Sequence, residues 1–120
     1  MGTFRTVIEI GDPTATVWEP LEALVDTGAS FTLVPTPLLA RLGVVAHARE
    51  EFELADGRVV NLDVGRTWVR AEGRAEQTLV VFAPEDAAPL LGAYTLEGLR
   101  LAADPVARRL VPVRGLLLAI

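Results

Sequence analysis

The sequence predicts a mostly β, single-domain, barrel-like fold with one or two short helices. Three observations carry that expectation. Short runs rich in Val, Leu, Ile, Thr and Phe recur along the chain, punctuated by Gly, Pro and Asp. Only two stretches carry helix signals. Strands and helices never alternate in the rhythm of βαβ units, which argues against a parallel sheet covered by helices. The 120 residues fit one domain, residues 1–120, and 51% of them are hydrophobic, enough to build a core.

The elements follow in order. Phe4 to Ile10 sets Phe4, Thr6, Ile8 and Ile10 against Arg5, Val7 and Glu9, the period of a half-buried strand. Gly11-Asp12-Pro13 turns the chain. Thr14 to Trp18 is expected as a second strand. Pro20 interrupts, and Leu21 to Val25 resumes as another. Phe31 to Val34 is apolar and β-branched, a further short strand. Thr36 to Gly43 has helix punctuation: Thr36 as cap, Pro37 in the first turn, Gly43 as stop. Phe52 to Leu54 and Val59 to Leu62 flank "ADGR", Ala55 to Arg58, where Asp-Gly between apolar runs signals a hairpin. Past Gly65, Thr67 to Ala71 and Gln77 to Phe82 give two strands around a turn at Glu72-Gly73-Arg74. Ala83 to Pro89, "APEDAAP", is a loop. Leu90 to Leu101 begins as a short apolar strand, passes Gly92 and turns helical from about Tyr94 to Leu99. Ala103-Asp104-Pro105 turns again. Leu110 to Val113 is the last strand before an apolar tail, Leu116 to Ile120.

Composition narrows the function. Cysteine is absent, which excludes disulfides and thiolate metal sites. The net charge is −5, with no basic stripe beyond Arg108-Arg109, so nucleic-acid binding is not expected. No apolar leader follows Met1 and no run reaches the length of a membrane span, so the expected location is cytoplasmic, with no membrane partner. His47 is the sole histidine, in "AHAREE" beside Glu50 and Glu51. A metal site needs more convergent ligands, so His47 is expected on the solvated surface. No metal or organic cofactor is implied. Trp18 and Trp68 are expected in sheet-face packing.

One acid is out of place. In "ALVDTGASFTLVP", Asp26 ends an apolar run, Ala23-Leu24-Val25, where burial disfavours the ionised form. Gly28 permits a backbone approach that a side chain would obstruct, and the Thr27 hydroxyl can tie one loop to another. A second carboxylate beside Asp26 would let the pair share a proton. One group could then act as base toward a water while the other donates to a substrate carbonyl.

"LVDTGAS" resembles the active-site motif of the retropepsin-like aspartic proteases. Three further segments match that family in order: "LADGRVV" at the flap hairpin, "PLLGAYTLEGL" at an apolar-apolar-Gly segment followed by a helix, and "DPVARRLVP" at the closing hairpin of bacterial members. The resemblance runs from about Phe4 to Pro112 and is closest to the small bacterial group. It implies Asp26 as the catalytic acid and Thr27 as the hydroxyl residue linking two active-site loops. It makes Gly28 the glycine whose backbone faces substrate. Ala29 and Ser30 would continue the floor. Ala55, Asp56, Gly57 and Arg58 would form the flap tip over the substrate, with Gly57 as the point of closest approach. Leu90, Leu91 and Gly92 would pack behind the catalytic loop. Retroviral members carry an acid where Ser30 stands and an Arg where Ala93 stands. Both partners of that pair are missing here together.

Only one such motif is present and there is no internal repeat, so a catalytic pair would need two chains related by a two-fold axis. The resemblance therefore implies a homodimeric aspartic endopeptidase acting on peptides or proteins. The other reading is a dimeric peptide-binding or scaffolding domain that keeps the fold without cleavage.

Overall fold

A computed structural model of the chain describes residues 3–117. β1 (Phe4–Gly11) and β2 (Trp18–Val25) form an antiparallel hairpin with Phe4 opposite Val25 and Gly11 opposite Trp18. After β2 come β3 (Thr32–Pro35), α1 (Thr36–Arg41), β4 (Ala48–Glu53), β5 (Val59–Ala71) and β6 (Arg74–Ala83). β7 (Leu90–Leu91), α2 (Ala93–Leu99), β8 (Leu101–Asp104) and β9 (Arg109–Pro112) complete the chain.

Seven strands lie in the order β1-β2-β7-β3-β6-β5-β4. β1 also pairs with β5, at Glu9–Arg70 and Ile10–Val69, which closes the sheet into a barrel and leaves β4 outside it. Closure is reinforced on the outer surface. Arg70 Nε donates to Glu9 Oε1 at 2.8 Å, and the guanidinium lies 3.9 Å from the Trp18 ring centroid. β8 and β9 form a separate two-stranded hairpin. The expected barrel-like fold with two short helices is what the chain adopts.

Alternation fills the interior. Ile8 and Ile10 on β1, Val25 on β2, Val34 on β3, Val69 on β5 and Val80 on β6 are almost wholly buried, and Leu39, Leu91 and Leu99 join them. Truncating any one of these leucines to Ala would cost about 2–5 kcal/mol. Among the described residues, no helix is long and apolar enough to cross a membrane.

Several boundaries differ from expectation for identifiable reasons. Thr14 to Trp18 is not a strand. Asp12 organises residues 12–17 into a turn, accepting the backbone N–H groups of Thr16 and Val17 at 2.7 and 2.9 Å. β2 then runs unbroken through Pro20. Among the described residues the strand has a second neighbour only at Leu24 and Val25, so a missing N–H at Pro20 disturbs no inner ladder. Thr36 does not cap α1. Its hydroxyl donates instead to the Ala83 carbonyl at 2.8 Å, tying the helix start to β6. Gly43 does stop the helix, at φ +74°. β4 starts at Ala48, well before Phe52, because Ala48 to Glu53 pairs fully with β5 despite its charges. Residues 59–71 form one strand, since Gly65 continues the ladder opposite Val80. α2 begins at Ala93, and Asp104 belongs to β8, with the turn at residues 105–108. In the tail, Leu116 and Leu117 are exposed. Residues 118–120 of that expected apolar segment lie outside the described residues.

Candidate active site

Asp26 is placed by the last step of a parallel ladder. β2 and β7 pair Leu24 with Leu90 and Val25 with Leu91, and the Asp26 N–H then donates to the Leu91 carbonyl at 3.1 Å. The chain turns at once. The Ala29 N–H donates to the Asp26 carbonyl at 3.1 Å, and the Gly28 N–H donates to Asp26 Oδ1 at 3.0 Å. A main-chain donor thus orients the carboxylate. Gly28 serves by closeness: a Cβ there would stand 3.2 Å from Asp26 Oδ1. Asp26 is half-buried, while Thr27, Gly28 and Ser30 are exposed.

The segment after β7 holds the far end of the loop. The N–H groups of Ala93 and Tyr94 donate to the carbonyls of Ala29 and Ser30, each at 2.9 Å. Gly92 lets the two segments meet, because a Cβ on it would stand 2.4 Å from the Phe31 carbonyl oxygen. Leu90, Leu91 and Gly92 therefore do pack behind the loop. Ala93 follows Gly92 with its N–H bonded to the Ala29 carbonyl, and Ser30 and Ala93 carry no charges to pair.

The β4–β5 hairpin stands over this floor. Leu54 N–H donates to the Arg58 carbonyl at 2.8 Å, and Gly57 N–H donates to the Leu54 carbonyl at 2.9 Å. Gly57 has φ +88°. That is a three-residue hairpin loop with glycine at its left-handed position. Asp56 accepts the Arg58 N–H at 3.0 Å and Arg58 Nε at 2.8 Å. Those bonds, the backbone one first, hold the Asp56 carboxyl below its ordinary value. Asp56 thus shapes the turn, as expected of it.

Between floor and hairpin lies an open cleft of about 780 Å³. Its walls are mainly apolar, with Phe31, Leu33, Phe52, Leu54, Val60 and Leu62 prominent. Of the expected site residues, Gly28, Ala29, Ser30 and Arg58 line it. Asp26 and Thr27 adjoin that lining in the chain without forming part of it. Ala55, Asp56 and Gly57 stand exposed at the hairpin tip, clear of the cleft wall. Floor and cover touch through rings: Phe31 meets Phe52 edge-on at 6.0 Å and Tyr94 at 5.8 Å. This aromatic seam was not legible in the sequence, where the three rings lie far apart. Asp86, within the expected loop Ala83 to Pro89, is exposed and also lines the cleft. His47 is exposed, as expected. Among the described residues, no group of three or more His, Asp or Glu side chains is placed to hold a metal ion.

A closed barrel carrying an aspartate turn, crossed from behind by a strand-Gly-helix segment and covered by a hairpin, defines the retropepsin-like class of acid protease folds. A family model described as aspartyl protease matches residues 8–95, and the chain belongs to that family. No curated protein sequence matches it significantly. Solved structures agree in fold. The retroviral protease-like domain of Ddi1 from Leishmania major superimposes with a TM-score of 0.58 at 19% identity, covering 93% of this chain and 89% of that one. The protease of simian foamy virus (mac) gives 0.55 at 24% identity, over 78% and 91% of the two chains. The EIAV protease, solved with an inhibitor bound, gives 0.54 at 23%, over 78% and 84%.

Proposed function

We propose that the chain is an aspartic endopeptidase whose working unit is a homodimer, with Asp26 from each subunit forming the catalytic pair. The observation that carries this reading is the Asp26 loop. It presents one half-buried carboxylate, oriented by the Gly28 N–H, beside exposed Thr27 and Gly28. A second copy placed across a two-fold axis would bring its own Asp26 to that exposed edge. Thr27 would link the two loops through its hydroxyl. The family membership and the retroviral protease folds support aspartic protease chemistry in general.

The chemistry then follows from two carboxyl groups sharing one proton. The ionised group takes a proton from a water, and the water oxygen attacks the scissile carbonyl carbon. The protonated group donates to the carbonyl oxygen, so the tetrahedral intermediate is neutral at that oxygen. Collapse breaks the C–N bond as the leaving nitrogen takes a proton back from a carboxyl group. An extended peptide would lie in the cleft. Ala29 and Ser30 would form its floor, and the hairpin tip, Ala55 to Arg58, would close over it.

The test is Asp26→Asn. It keeps the shape and removes the base, so the variant should fold and dimerise while peptide cleavage falls by about a hundredfold or more. Mixing sharpens the result. With free subunit exchange, an equal mixture of parent and variant leaves about a quarter of the dimers with two acids, and activity per dimer should fall to about one quarter. A value near one half, with exchange confirmed, would mean that each chain works alone. Tight peptide binding without cleavage by the parent dimer would identify a binding module instead.

A further inference from the structure

The buried polar side chains among the described residues are four threonines: Thr32, Thr67, Thr78 and Thr95. Three of them meet behind the Asp26 loop. Thr32 Oγ1 donates to Thr95 Oγ1 at 2.6 Å, and Thr95 Oγ1 lies 3.2 Å from Thr78 Oγ1. Thr32 Oγ1 also accepts the Gly92 N–H at 3.1 Å. A hydroxyl has one proton, so these bonds have a direction. Thr32 gives its proton to Thr95, which turns its lone pairs toward Gly92. Between Thr95 and Thr78 either hydroxyl can be the donor.

Volume does not explain a hydroxyl at Thr95. Valine has nearly the same shape, and an apolar side chain would carry no desolvation cost in a fully buried site. What the hydroxyl adds is an acceptor that sets the rotor of Thr32. The Gly92 N–H depends on that rotor. The bond from the Gly92 N–H to Thr32 is buried, and the Phe31 backbone packs against Gly92, with its carbonyl oxygen 2.4 Å from where a Cβ would stand.

We propose that Thr95 is a positioning residue for Asp26 and acts through Thr32; the proposal rests on the reading of Asp26 as the reacting acid. Thr95 orients Thr32, Thr32 holds Gly92, and Gly92 fixes the Leu91 carbonyl that receives the Asp26 N–H. Ala93 and Tyr94, next in the chain, hold Ala29 and Ser30. One buried hydroxyl pair therefore sets both ends of the loop.

Thr95→Val should keep the fold and the dimer and lower kcat about ten- to hundredfold, the scale of a small misplacement of reacting groups. KM should change less than kcat, because the apolar walls formed by Phe52, Leu54, Val60 and Leu62 are untouched. Thr95→Ser should restore most of the loss. Amide hydrogen exchange reads the same inference without catalysis: the Asp26 and Gly92 amides should exchange about tenfold faster in Thr95→Val, with Val69 unchanged. If Thr95→Val does not fold, Thr95→Cys, with a weak sulfur acceptor, should show an intermediate loss by both measurements. Unaltered kcat, or unaltered exchange at Asp26 and Gly92, overturns the positioning role. A parent that cleaves no peptide sinks the enzyme reading, and the exchange result still decides the role of Thr95.

Discussion

A Cβ on Gly92 would stand 2.4 Å from the Phe31 carbonyl oxygen, whereas a Cβ on Gly57 would meet nothing within 4 Å. The two glycines sit behind the floor of the cleft and at the tip of its cover. Gly92 is required by contact and Gly57 by conformation, with φ +88°. Their surroundings differ in the same way. The floor is made of main-chain bonds between segments some sixty residues apart, Asp26 to Leu91 and Ala93 to Ala29. Among the described residues, the tip's hydrogen bonds run only within itself, between Leu54 and Arg58. A floor built that way resists displacement. A cover built that way can move as a unit, giving up the Phe52 ring contact with Phe31.

Substitution at each glycine tests this contrast. Gly92→Ala should be the most damaging, destabilising the fold by about 3 kcal/mol, since backbone rather than a flexible side chain blocks the new methyl. Denaturant unfolding would measure it. A variant as stable as the parent would mean that the close approach is absent in solution. Gly57→Val should cost about 1–2 kcal/mol, from backbone strain alone. Its effect on peptide cleavage should be larger in proportion, about tenfold or more, under the proposed closure of the tip over substrate. If it cleaves as well as the parent, the hairpin is not the cover.

The smallest effect concerns acid. The Asp56 carboxyl titrates below its ordinary value of 3.8, chiefly through the Arg58 N–H and then the Arg58 side chain. A lowered folded value means that its contribution to the tip is complete above the ordinary range and is lost as pH falls through the folded value. NMR titration should therefore show the Arg58 amide shifting below pH 3.8 while the Gly92 amide stays still. Arg58→Ala should move the Asp56 titration only part of the way back, because the larger cause is a main-chain donor that the substitution leaves in place.

Much of this contrast was legible in the sequence, and unevenly. Asp-Gly at residues 56–57 announced the hairpin because turn chemistry is local. Asp26-Thr27-Gly28 announced the floor because its residue types are unusual after an apolar run. The strand Ala48 to Glu53 was legible only at its Phe52 end, since a solvated edge strand tolerates charge and loses the apolar alternation. Thr14 to Trp18 misled because β-branched residues also suit a turn when Asp12 supplies the acceptors. Thr32, Thr78 and Thr95 gave no signal at all. Threonine is ordinary on strands such as those of Thr32 and Thr78 and unremarkable in a short helix such as that of Thr95, and the bond from Thr32 to Thr95 spans 63 positions that only the fold brings together.

Pro20 has a consequence for assembly. From Trp18 to Ala23, the side of β2 away from β1 has no strand partner among the described residues, so it is an open template onto which another chain could add. Proline supplies no donor there, and Glu22 adds negative charge beside it, while Glu19 is paired with Arg41 at 2.9 Å. A second copy approaching this edge would meet a broken ladder and like charge. The same residue that interrupts the pattern of the sequence thus guards one border of the barrel, and it turns association between copies toward the chain's other surfaces.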